Sequence, residues 1–313
     1  VQLKRFRAAT CLFFVCAVAR AGEPAAIPDN AARLEVGGGR IDVAFSSAPA
    51  APVRKLVLAW VASSARAVTV YYEQFPVARL QMKVRFFEGR GVRGGRTMGW
   101  RGAVIAIAVG LSSTASDFSE DWELTHEMVH LAFPSVAEEH HWIEEGSATY
   151  VEPIARAQAG ELTAEKVWGD LVDGLPKGLP EPGDRGLDFT PTWGRTYWGG
   201  ALFCLLADIE IRRRTQNGKG LENALRSILK AGGTIESDWP LAWAFEIGDR
   251  GTGFPVLREL YEKMKATPAP MNLRALWKEL GVERLDGQIQ FNDAAPLAAI
   301  RKAITHARSP AEP

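Results

Sequence analysis

The run His126-Glu127-Met128-Val129-His130 constrains this chain more than any other five residues in it. On a helix, the i, i+4 spacing puts both imidazoles on one face about a turn apart, so that both can reach one metal ion. Glu127 is rotated about 100° from His126. Its carboxylate is therefore aimed at the ion's open position, where a base that takes a proton from water belongs. The fold must supply a helix over these residues and a third ligand from elsewhere. Ser119 or Asp121 can cap that helix, which should continue through Trp122 to about Phe133, where Pro134 ends it.

A metzincin-type continuation, H-x-x-G-x-x-H, is excluded because Phe133 stands where the glycine should be and Val136 where the third histidine should be. His140 and His141 fall in an expected loop and read as solvated or packing residues. A second helix is expected from about Trp142 to Gln158, crossed by Pro153. It offers two acids, Glu144 and Glu145, which lie about 100° apart on a helix, so only one can face the metal.

The stretch Trp142 to Tyr150 fits the pattern W-x-x-E-G-x-A-x-Y at Trp142, Glu145, Gly146, Ala148 and Tyr150. In this it resembles the gluzincin zinc metallopeptidases, most strongly over Trp122 to Tyr150. The resemblance implies one Zn²⁺ per chain held by His126, His130 and Glu145, with Glu127 as the catalytic base. It also implies a thermolysin-like core in an α+β fold. Gly146 is read as letting the two zinc-binding helices approach closely. Tyr150, about 140° round the helix from Glu145, is read as packing.

Downstream, Tyr197-Trp198-Gly199-Gly200-Ala201-Leu202 is similar to a Y-x-x-G-A-L segment of aminopeptidase-type gluzincins and of the glycyl aminopeptidase-like family. That likeness implies that Tyr197 is catalytic, donating a hydrogen bond to the developing oxyanion. A core tyrosine clustered with Trp193 and Trp198 is the other reading. The segments Ala201 to Arg214 and Gly281 to Ile304 extend the likeness towards the C-terminus. The G-x-M-E-N sequence with which such aminopeptidases bind a free amine has no counterpart, since Gly95-Arg96-Thr97-Met98-Gly99 lacks the acid. Endopeptidase and aminopeptidase activities both stay open. So do a zinc hydrolase acting on a non-peptide substrate and an inactive, gluzincin-like binding protein.

Elsewhere the pattern predicts a mixed α+β chain. Residues 1–21 read as a signal peptide: Lys4, Arg5 and Arg7, then an apolar run from Ala8 to Ala19, then Ala19-Arg20-Ala21. The expected location is exported, either periplasmic or secreted, with no stable membrane insertion after cleavage. Removing Cys11 and Cys16 with the signal leaves Cys204 without a disulfide partner. With 37 basic and 37 acidic residues, the net charge is zero, so no whole-chain field would draw nucleic acid, and the expected partner is a peptide or protein substrate.

A linker is expected at residues 22–30, an α+β lobe carrying the zinc-binding helices at 31–158, and a helical lobe at 159–313. Within the first lobe, Arg33 to Phe45 reads as a strand pair, Val53 to Tyr72 as a long helix, and Leu80 to Phe87 and Ala103 to Val109 as strands of a small mixed sheet. Gly89 to Gly102 reads as a hairpin or loop, either a flexible turn or a substrate-binding edge, and Ser112 to Ser119 as a polar break.

Overall fold

The computed structural model describes residue 28 and residues 30–308. The expected signal peptide and most of the expected linker lie outside the described residues. Among those described, no helix is long and apolar enough to cross a membrane.

Strands β1 (Ala31–Val36) and β2 (Gly39–Phe45) form an antiparallel hairpin turned at Gly37 and Gly38, both with positive φ. The helix α1 (Ala51–Tyr72) takes Pro52 into its first turn, where a missing N–H costs nothing, and ends at Glu73 in the left-handed region. It carries the chain over to β3 (Arg79–Phe87), which pairs in parallel with β2. Then β4 (Val92–Met98) and β5 (Ala103–Gly110) complete a five-stranded mixed sheet in the order β1-β2-β3-β5-β4. The nearly all-apolar β5 sits inside, parallel to β3, while β4 is an antiparallel edge with a bulge between Arg93 and Arg96.

Two short helices follow, α2 (Ala115–Glu120) and α3 (Glu123–His130). The segment expected as a polar break thus contains a helix, whose capping box is made by Thr114 and Asp117. After α4 (His141–Gln158) come α5 (Ala164–Gly174), α6 (Gly200–Arg214), α7 (Leu221–Lys230), α8 (Leu241–Thr252), α9 (Val256–Met264) and α10 (Leu273–Leu280).

The C-terminal part is helical as expected, with one correction: β6 (Val282–Leu285) and β7 (Gln288–Phe291) form a hairpin before α11 (Ala298–Thr305). Its turn is Asp286-Gly287, both at positive φ, a pair that favours a tight hairpin. A single buried cluster takes in side chains from both sides of residue 158, such as Trp142 and Phe203, whose ring centroids are 5.1 Å apart.

Candidate metal centre

Asp121, rather than Ser119, starts α3. Its carboxylate accepts hydrogen bonds from the backbone N–H groups of Glu123 and Leu124, each at 3.2 Å, and from the Trp60 indole at 3.1 Å. The helix buries Leu124, Met128 and Val129 on one face and turns His126, Glu127 and His130 towards a cavity of about 730 Å³. Helix α4 supplies Glu145 from the opposite side.

His126 Nε2 lies 3.1 Å and His130 Nε2 3.6 Å from Glu145 Oε2, and one ligand atom from each of the three residues lies within 4.8 Å of the others. Ligands about 2.1 Å from a tetrahedral zinc ion stand roughly 3.4 Å apart. Two imidazole nitrogens and one carboxylate oxygen at this spacing fit the ion. Glu144, the competing acid, turns away to the Val136 N–H at 3.3 Å and to His141 Nδ1 at 2.9 Å.

Burial works against the charge on Glu145, but its hydrogen bonds with His126, His130 and His141 outweigh that and hold its carboxyl far below the usual range. Burial lowers the His126 pKa. For His130, the hydrogen bond and charge of Glu145 overcome burial and raise it. His126 Nδ1 is buried without a hydrogen-bond partner among the described residues. Its ring is held by packing, edge-on to Trp122 at 5.4 Å and stacked on Tyr197 at 6.3 Å between centroids.

Tyr197 reaches the site through a π-helical turn, Gly194–Gly199, that runs into α6. The placement depends on two glycines. A Cβ on Gly146 would sit 2.3 Å from Gly200 Cα, and one on Gly200 would sit 2.1 Å from the Trp142 carbonyl oxygen. Gly146 therefore permits α4 to cross the start of α6, which corrects the expectation that it brings together the two helices carrying the zinc ligands. Burial, followed by the charge of Glu145, pushes the Tyr197 phenol up to about 12, so it stays protonated near neutral pH.

Three neighbours were not foreseen. Thr97 on β4 places its hydroxyl 2.6 Å from Glu127 Oε2 and 2.8 Å from the Glu127 carbonyl oxygen, which fixes the rotamer of that side chain. Glu123 accepts the Gly95 N–H at 2.6 Å, tying the same strand to α3. His141, expected in a loop, opens α4 and bridges Glu144 and Glu145, with Nε2 3.4 Å from Glu145 Oε1. Those two carboxylates raise its pKa to about 10. The Gly89 to Gly102 segment is thus a sheet edge at the cavity, not a flexible turn. His140 pairs with Asp188 at 3.1 Å, away from the ligand cluster.

No family model matches the chain, and no curated protein sequence matches it. Its fold is similar to that of an aminopeptidase N family protein from Idiomarina loihiensis, with a TM-score of 0.59 and 15% identity, covering 80% of this chain and 49% of that one. An M1 zinc metallopeptidase from Deinococcus radiodurans matches less closely, with a TM-score of 0.47 and 15% identity over 77% of this chain and 54% of its own. The chain spans about half the length of these solved structures. The likeness to the first is one of fold, a mixed five-stranded sheet with helices.

Proposed function

We propose that this chain is a zinc-dependent metallopeptidase. The observation that carries the reading is the convergence of His126, His130 and Glu145 within 4.8 Å in a cavity that Glu127 also lines. The family named for the Idiomarina loihiensis protein supports the same chemistry. A bound Zn²⁺ would supply the Lewis acidity that makes water a nucleophile near neutral pH and polarises the scissile carbonyl.

The chain's own residues do the rest. Glu127, held by Thr97, takes the proton from water and later passes it to the leaving amine. Tyr197 donates its hydroxyl proton in a hydrogen bond to the oxyanion as charge builds there. His141 holds the second oxygen of Glu145, which keeps the first turned to the two imidazoles. The core is thermolysin-like in this reading, and residues 1–21 support export, which fractionating cells that express the full chain tests.

Metal content and peptide cleavage test the reading together. One zinc per chain should co-purify, a chelator should abolish cleavage, and added zinc should restore it. Peptides blocked or free at the N-terminus separate endopeptidase from aminopeptidase. A zinc-loaded chain that cuts no peptide would return the site to a non-peptide hydrolase or a binding protein.

The role of Tyr197 has its own test. Tyr197→Phe should lower kcat by about 10²- to 10³-fold, with KM and zinc content little changed. A loss of less than about threefold would make Tyr197 a packing residue.

A further inference from the structure

A second cavity of about 940 Å³ opens beside the metal centre and shares Trp122, His126 and Tyr197 with it. Its floor continues the face of α4 beyond Glu145, with Thr149 one turn on and Glu152 two turns on. Trp122, Trp193 and Trp198 also line it.

The aromatic wall is built into the fold. A Cβ on Gly174 would lie 1.9 Å from the Trp198 ring, and one on Gly178 would lie 2.2 Å from the Trp198 carbonyl carbon, so both positions must be glycine for Trp198 to seat. Trp122 and Trp193 nevertheless remain 55% and 61% exposed. Large aromatic rings left open to water at the mouth of a catalytic cleft gain most when an apolar group covers them.

Most charged groups around the cavity are already paired, and Glu120 accepts from the Ser116 hydroxyl at 2.8 Å. Glu152 pairs with Arg156 at 2.9 Å, Lys166 with Asp170 at 2.6 Å, and Asp173 with Arg284 at 2.8 Å. Lys177 lies over the Trp198 ring, 5.6 Å from its centroid. Beside these, the Trp122 and Trp193 rings stay open for a ligand to meet.

We propose that this cavity is a specificity pocket that takes an aromatic or large apolar side chain of the substrate, from the residue on one side of the scissile bond. The occupant follows from continuity: because the two cavities share Trp122, His126 and Tyr197, a chain whose carbonyl lies at the His126, His130 and Glu145 cluster can place a neighbouring side chain in the second. The volume exceeds that of one side chain and leaves room for the next residue.

The inference rests on the peptidase reading for its substrate, so the test has two arms. In the first, the zinc-loaded protein is given peptides, both blocked and free at the N-terminus, that carry Phe, Ala or Asp at each successive position, and cleavage sites are read by mass spectrometry. Bonds with Phe on one side should be cut at least about tenfold faster in kcat/KM than those with Asp or Ala. In Trp193→Ala, whose ring is largely exposed and whose loss should spare folding, that ratio should fall at least about threefold.

The second arm needs no turnover. Tryptophan fluorescence of Glu127→Gln is titrated with N-acetyl-phenylalaninamide and with N-acetyl-aspartic acid amide. Saturable binding of the first only, weakened in Glu127→Gln/Trp193→Ala, is expected. Cleavage without aromatic preference overturns the pocket and leaves the peptidase standing. Selective binding with no cleavage of any peptide overturns the peptidase and leaves the pocket. No saturable binding of the aromatic probe overturns the inference.

Discussion

Replacing Glu127 by Gln should leave one zinc per chain in place and lower kcat for peptide cleavage by about 10²- to 10⁴-fold, the contribution a positioned general base makes. Glutamine matches the shape of glutamate, and its amide oxygen can still accept the Thr97 hydroxyl that lies 2.6 Å from the carboxylate. The His126, His130 and Glu145 donors are untouched. What is lost is the ability to take a proton, so the effect should fall on kcat and not on KM. Glu145→Ala should behave differently, losing metal and activity together, because it removes a donor from the three. Loss of zinc from Glu127→Gln would make Glu127 a ligand, and turnover equal to wild type would end the enzymatic reading. Metal analysis beside steady-state kinetics distinguishes these outcomes.

How much of the site could be read from sequence follows from how far each contact reaches along the chain. His126, Glu127 and His130 are grouped by the spacing of one helical turn, whereas Glu145 was set apart from Glu144 by the resemblance of Trp142 to Tyr150 to the gluzincin pattern. His141 was legible in principle, since it precedes Glu145 by four residues. Placing the start of α4 one residue too late left it in a loop. Thr97 was not legible, because its position beside Glu127 depends on β4 pairing with β5 through the Thr97 to Ile105 register and on the sheet edge meeting α3.

The fold divides in the same way. The alternating and all-apolar runs gave β3 and β5 almost to the residue, whereas β4, with Gly94, Gly95, Arg93 and Arg96, has no apolar face to announce it. The β6–β7 hairpin did carry a signal in Asp286-Gly287, masked by helical periodicity on both sides. Gly146 was rightly picked out as a contact residue, but its partner, Gly200, lies 54 residues on, as the numbering shows, and no local pattern names it.

Asp208→Ala should be the most destabilising single change away from the metal centre, at about 3–5 kcal/mol, because it strips one partner from a buried ionic network. Tyr150, read from sequence as packing, is fully buried, and its hydroxyl donates to Asp208 Oδ2 at 2.9 Å. The other oxygen of Asp208 accepts from Arg212 Nε at 2.7 Å and from the Leu221 backbone N–H at 2.9 Å. Arg212 in turn reaches both oxygens of Glu222, at 2.8 and 2.9 Å. This set fastens α4, the helix that carries Glu145, to α6 and α7.

Removing the Asp208 carboxylate leaves a phenol and a backbone N–H without acceptors and Arg212 with half its counter-charge, all shielded from water. Tyr150→Phe removes only the hydroxyl's bond to a charged acceptor and should cost about 1.5–3 kcal/mol. Asp208→Asn, which keeps an oxygen for Tyr150 or Leu221 but gives up the charge facing Arg212, should fall between the two. Equilibrium urea unfolding of the three variants gives the order directly. A cost below about 1 kcal/mol for Asp208→Ala would mean that the helices are held by apolar packing alone. Because Tyr150 and Asp208 share one contact, the double variant Tyr150→Phe/Asp208→Ala should cost less than the sum of the single changes.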